Sequence, residues 1–143
     1  PLQEILSKNR IKTPTIQDIS KYVKKIRRSK LPDPKKLGNC GSFFQNPVLN
    51  FDEFQELKKK DSLVPSYFIS ENRVKIPAAY LIEKCGLKGV KKGNVGTFKK
   101  HALIIVNYGN ASGKEIFDFS SMIKDYVLRK FNILLTEEVN IIN

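Results

Sequence analysis

The sequence predicts an α+β domain, a small mixed sheet backed by helices, and three observations carry that prediction. Segments of helical period and runs of β-branched residues alternate irregularly along the chain. There is no internal repeat. Apolar residues make up 41% of the 143 positions, enough for one core, yet no run approaches the ~20 apolar residues that a membrane helix requires.

In chain order, residues 13–28 (TPTIQDISKYVKKIRR) place Ile16, Ile19, Val23 and Ile26 three or four apart, with Thr15 and Asp18 spaced as a capping box. This predicts an amphipathic helix with a basic outer face. Ser29-Lys30-Leu31-Pro32-Asp33-Pro34 follows, where two prolines enforce an extended exit, and this is the best boundary candidate. In GNCGSFFQNP, residues 38–47, two glycines permit a turn into a short buried strand over Ser42, Phe43 and Phe44. A serine there can serve simply as a turn residue whose hydroxyl satisfies a local backbone group, and the residues alone leave its role open. Asn50 and Glu53 mark the start of a helix that buries Phe54 and Leu57 and ends in Lys58-Lys59-Lys60, where the helix dipole favours cations. Strand material follows at Arg73-Val74-Lys75-Ile76. Pro77 then opens a helix with Ala78, Leu81, Ile82 and Cys85 on one face, and Gly86 ends it.

GLKGVKKGNVG, residues 86–96, fits no phosphate-loop pattern and reads as a long mobile turn. Ala102-Leu103-Ile104-Ile105-Val106-Asn107 is a buried strand by its β-branched run. The longest helix covers about 112–131, with Ile116, Phe119, Ile123, Val127 and Phe131 on one face, and a terminal strand is expected over 133–143. Within that strand Glu137 and Glu138 point to opposite faces, so one of them must turn inward and needs a partner or a job.

The formal net charge is +12, from 26 Lys and Arg against 14 Asp and Glu, so an anionic partner is expected: nucleic acid, anionic lipid or a phosphorylated small molecule. Much of the excess lies in residues 1–36, which hold eleven Lys or Arg and three Asp or Glu. Cys40 and Cys85 form no CxxC pattern and have a single histidine, His101, to join them. No structural metal and no disulfide are therefore expected, and the thiols read as reduced and cytosolic. The first ten residues lack the apolar core of a signal peptide, and a chain beginning with proline reads as a piece of something longer.

Five segments occur in a telling order: RSKLPDP at 28–34, GNCGSFFQNP at 38–47, IPAAYLIEKCGLKG at 76–89, KKHALIIVN at 99–107 and LLTEEVNII at 134–142. Together they resemble the C-terminal part of UDP-N-acetylenolpyruvoylglucosamine reductase, a flavoenzyme of peptidoglycan synthesis. The resemblance implies the C-terminal domain of a three-domain bacterial cytoplasmic enzyme that uses FAD and NADPH to reduce UDP-N-acetylglucosamine enolpyruvate to UDP-N-acetylmuramate. Residues 1–30 would be the tail of the FAD-binding part, 31–132 the substrate-binding domain, and 133–143 a strand returning toward the flavin. FAD would be held mainly by N-terminal domains outside these residues, and the piece alone would be inactive. The resemblance also implies Ser42 as proton donor to the substrate's C2 and Glu138 as the second catalytic group, with Glu137 as its outward, structural neighbour. Lys30, Asn46 and His101 would bind substrate, with Lys30 on the diphosphate, and Arg27 would contact the cofactor. Cys40 stands where alanine is usual, and Thr136-Glu137-Glu138 where Glu-Pro-Glu is common.

Two other classes compete. A basic nucleic-acid-binding module suits the charge, but the aromatics do not interleave with Lys and Arg as such modules require, and there is no tryptophan. The other is a non-enzymatic scaffold domain. UDP-sugar binding, steep salt-dependent oligonucleotide binding, or neither separates the three. Neither nucleic acid nor membrane is the expected partner.

Overall fold

The computed structural model describes residues 2–142. The chain divides into two compact units, Pro1–Asp33 and Pro34–Asn143.

The first unit is a helix pair, α1 (Leu2–Lys8) and α2 (Ile16–Lys30). The capping box forms as read: Thr15 Oγ1 accepts from the Asp18 N–H at 3.1 Å, and Asp18 Oδ2 accepts from the Thr15 N–H at 3.0 Å. The apolar stripe is only partly used. Ile16, Ile19 and Val23 stay exposed, while Tyr22 is the residue that α2 buries. α1 was not legible in the sequence, since seven residues fall below the length at which a helix holds itself.

In the second unit the α+β class holds, but the expected single mixed sheet does not. There are two sheets, both antiparallel. The four-stranded one runs β1-β7-β6-β5, from β1 (Gly38–Ser42), β5 (Lys91–Lys92), β6 (Val95–Phe98) and β7 (His101–Asn107). The three-stranded one runs β2-β4-β3, from β2 (Val48–Leu49), β3 (Tyr67–Ser70) and β4 (Arg73–Lys75). Two tight connections account for two of the three antiparallel pairings in the larger sheet, β5 with β6 and β6 with β7. Residues 86–96 are not one long turn but end in a hairpin: Gly93 and Asn94 alone join β5 to β6, and of these two only Gly93 has positive φ, as in a type II′ turn. Lys99 and Lys100 make the β6–β7 connection.

Three helices back the sheets: α3 (Phe51–Lys60) against β2 and β4, α4 (Ala78–Lys84) against β7, and α5 (Gly113–Phe131) against α4, β6 and β7. Asn50 and Glu53 form the second capping box and Ser112 with Glu115 the third. Gly86, with φ +73, closes α4, and the Leu87 N–H returns to the Ile82 carbonyl at 3.2 Å. The core contains Phe44, Val74, Ile76, Leu81, Ile82 and Val127, all nearly free of solvent contact.

Two strand expectations fail. Ser42, Phe43 and Phe44 are not one strand, for β1 ends at Ser42 and the phenylalanines dive into the core. In place of the terminal strand, residues 133–142 make a single bridge, Phe44 with Glu137. Ile133 and Leu135 are buried in alternation as a strand would have them, but Pro47 ends the available partner edge after two backbone bonds. Residue 143 lies outside the described residues.

Candidate functional site

The site is built on a bulge. Asn39 pairs with Val106 but Ser42 with Ile104, so β1 carries one residue more than its partner. Gly41 takes the left-handed conformation this needs, φ +80. Asn39 fixes it at both ends, its Oδ1 accepting from the Gly41 N–H at 3.1 Å and its Nδ2 donating to the Leu37 carbonyl at 2.8 Å. Ser42 leaves the bulge exposed, and its hydroxyl has no hydrogen-bond partner among the described residues. The turn role in which the hydroxyl satisfies local backbone is therefore absent. Immediately beyond it, the Phe43 N–H donates to the Leu103 carbonyl at 2.9 Å, and the Phe43 and Phe44 rings meet edge-on at 5.1 Å. A free hydroxyl thus sits on backbone locked from both sides.

The segment after α5 runs antiparallel to this one. The Glu138 N–H donates to the Phe43 carbonyl and the Gln45 N–H to the Thr136 carbonyl, both at 2.9 Å. Period-two alternation turns the two glutamates apart, but in the sense opposite to the one expected. Glu137 is the inward one. It shares the bridge with buried Phe44, and its Oε1 receives the Lys124 ammonium from α5 at 2.8 Å, with the two side chains only 18% and 26% exposed. Burial pushes the Glu137 carboxyl up, but the Lys124 hydrogen bond, its own backbone N–H and the ammonium charge together hold it below the usual value. Glu138 is the exposed one. Glu137 therefore has the structural partner, and Glu138 is left available.

Asn46, exposed in the loop before β2, lines a groove of about 390 Å³ with Gln45, Glu53, Asn132 and Thr136. Its Oδ1 also accepts from the Ala78 N–H at 2.9 Å. That bond caps α4, whose own N-cap, Pro77, offers no side-chain acceptor. His101 opens β7 half-buried, three residues before Ile104. This puts it about 10 Å along the strand from the residue opposite Ser42. Arg27 and Lys30 lie three apart near the end of α2 in the first unit, both exposed and neither in an ion pair among the described residues. Ser42, Asn46 and Glu138 are thus held on two paired segments. Lys30 and Arg27 form a separate basic pair, and His101 stands apart along β7.

Cys40 is exposed, and shielding of its sulfur pushes the thiol up, so it stays protonated beside Ser42. Both cysteines are free, and no group of three or more potential ligands among the described residues could hold a metal. No described helix is long and apolar enough to cross a membrane.

Sequence reasoning missed three features. Asn39 had a usable signal, an Asx residue two before a glycine. The Asn46 cap and the Lys124–Glu137 pair had none, since both join segments distant in the chain.

An exposed hydroxyl, Ser42, and an exposed carboxylate, Glu138, thus stand on adjoining paired segments. The family model described as "UDP-N-acetylenolpyruvoylglucosamine reductase, C-terminal domain" matches residues 33–142. Proteins named UDP-N-acetylenolpyruvoylglucosamine reductase align along nearly the whole chain. That of Flavobacterium johnsoniae is 48% identical over 96% of this chain and 41% of its own length. Those of Porphyromonas gingivalis and Pseudomonas aeruginosa are 45% and 37% identical over 99% of this chain, and 41% and 42% of theirs. The chain spans about two fifths of the length of the curated relatives it matches. It belongs to the family of UDP-N-acetylenolpyruvoylglucosamine reductase C-terminal domains.

Proposed function

We propose that this chain is the substrate-binding part of an NADPH- and FAD-dependent reductase that converts UDP-N-acetylglucosamine enolpyruvate to UDP-N-acetylmuramate in the bacterial cytoplasm, for peptidoglycan synthesis. The observation that carries the reading is Ser42: an exposed hydroxyl without a partner, on a bulged and doubly anchored backbone, one residue from the carbonyl that holds Glu138. Residues 1–30 are then the tail of the flavin-binding part, 31–132 the substrate domain, and 133–143 the segment that returns toward the flavin.

The residues present fit the substrate's side of this chemistry better than the flavin's. Toward the cofactor the chain offers Arg27, an exposed guanidinium with no carboxylate partner among the described residues, and the glycine-rich stretch 86–96 ends in a β-hairpin and opens no helix N-terminus to cradle a diphosphate. When bound, FAD supplies the hydride that reaches C3 of the enolpyruvyl group, having received it from NADPH. Reduction then requires a proton at C2, and Ser42 Oγ–H gives it, the Oγ–H bond breaking as the C2–H bond forms. Glu138 interacts with the nascent enol across the same group. Lys30 meets the diphosphate, and Asn46 and His101 contact the rest of the substrate. The excess positive charge of +12 suits a substrate that carries a diphosphate and a carboxylate. Alone, the chain has no reductase activity on this reading.

The test is Ser42→Ala in the complete enzyme, followed by stopped-flow flavin absorbance. Flavin reduction by NADPH stays near the wild-type rate, because C2 takes no part in it. Reoxidation by the enolpyruvyl substrate falls by about a hundred to ten thousand fold, the usual contribution of a positioned acid. Ser42→Cys recovers part of the rate, since the thiol is the stronger acid. Equal loss in both half-reactions, or in neither, removes Ser42 from the role of proton donor.

A further inference from the structure

We propose that Lys124 is a positioning residue for Glu138, acting through Glu137, an inference that rests on the reading of Ser42 and Glu138 above. The segment carrying Glu138 is weakly held. It has no strand, one bridge, two backbone bonds to residues 43–45 and a longer contact from Gln45 Nε2 to the Glu137 carbonyl at 3.4 Å. Beyond it Ile141 and Ile142 are exposed. What fixes the rotation of this segment about its own axis is its inward side chains. Leu135 is 1% exposed, two residues on Glu137 turns the same way onto the Lys124 ammonium at 2.8 Å, and Val139 beyond it packs half-buried against the core, so Glu137 is the one inward anchor next to Glu138 that depends on a charge.

Alternation then leaves Glu138 one way to point. A pair this shielded is screened less than a surface pair and holds its geometry better. Without the ammonium, Glu137 becomes a partly buried carboxylate with no counter-charge, which is strongly unfavourable. The segment relieves it by rotating Glu137 toward water, and that same rotation carries Glu138 off its direction. Lys124 is placed for this by α5, between Ile123 and Val127, both fully buried. Its position is therefore set by the core and not by the substrate.

The experiment uses the complete enzyme and reads the two half-reactions separately. Lys124→Met lowers reoxidation of the flavin by substrate about ten to a hundred fold, the scale of a misplaced catalytic group. It leaves flavin reduction by NADPH and the KM for substrate unchanged. Lys124→Arg, which keeps the charge, restores the rate. In the double variant with Glu138→Gln, Lys124→Met adds no further loss, because the two act as one unit. If Lys124→Met does not fold, Lys124→Gln, which also removes the ammonium and leaves the Glu137 carboxylate without a counter-charge, carries the same expectations. The proposal is overturned if both half-reactions slow alike, if the two losses multiply, or if Lys124→Met is fully active while Glu138→Gln is slow. Should Glu138→Gln itself be fully active, the assignment of Glu138 fails and the role of Lys124 falls with it.

Discussion

Asn46 meets two demands with opposite ends of one amide. Its Oδ1 caps α4 through the Ala78 N–H, and its Nδ2 remains as a donor at the groove on the proposed substrate side. Replacing the residue in two ways separates the demands. Asn46→Ala removes both, so the protein loses about 0.5–2 kcal/mol, the usual value of a lost cap, and substrate binding weakens as well. Asn46→Asp keeps an oxygen for the Ala78 N–H and holds stability near wild type. It loses the donor and sets a negative charge toward a diphosphate, so KM rises. Urea unfolding and steady-state kinetics on the complete enzyme read the two effects, and a KM unchanged in Asn46→Asp removes Asn46 from the substrate site. At this scale the sequence made Ser42, Glu138 and Asn46 visible through the resemblance, because each sits in a short distinctive motif. It could not show which glutamate turns inward. That depends on Lys124, thirteen residues away and on another element.

Elements whose signals are local were legible, and those that depend on a distant partner were not. The boxes of Thr15 with Asp18 and of Asn50 with Glu53 mark their helix starts within four residues, and both helices begin where these signals place them. The β5–β6 hairpin was missed because its strand residues, Lys91 and Lys92, are polar, and its register is set by what lies across it. Gly96 shows how tightly. A Cβ there would stand 2.4 Å from the Val90 carbonyl oxygen, 3.0 Å from Tyr108 Cε2 and 3.1 Å from Lys91 Cα. Two of these neighbours are backbone and cannot swing aside. Gly96→Ala is therefore expected to destabilise by about 1–3 kcal/mol, as overpacking does, with faster amide exchange at Thr97, whose N–H donates to the Val90 carbonyl. Gly93 makes the contrasting case. Its φ is +58 with nothing within 4 Å of a Cβ, so Gly93→Asn meets only the conformational strain of a turn position that favours glycine, with no clash, and lowers the urea midpoint less than Gly96→Ala does. Equal losses at the two positions would mean that the turn and not the close approach sets the hairpin.

Over the whole molecule, the connected apolar core runs from Phe43 to Leu135 and lies entirely in the second unit. The first unit contributes one buried hydrophobic residue, Tyr22, and exposes Ile16, Ile19 and Val23. Stability and cofactor binding should therefore separate along the chain. Among the described residues, the second unit holds every strand, three of the five helices and all the antiparallel pairing. Expressed alone, residues 34–143 are expected to unfold in a single cooperative transition, since burial of a continuous core is the main favourable term in folding. The 143-residue chain is expected to purify colourless and to bind FAD weakly if at all. Its glycine-rich stretch ends in a hairpin, and a single contact from Arg27 makes no dinucleotide site. Thermal unfolding of residues 34–143 and the flavin absorbance of the full 143 residues check the two halves of the expectation. A non-cooperative melt would show that residues 1–33 complete the fold. Recovery with stoichiometric yellow flavin would place a cofactor site within these residues, and the division of labour proposed for the chain would have to be redrawn around α2.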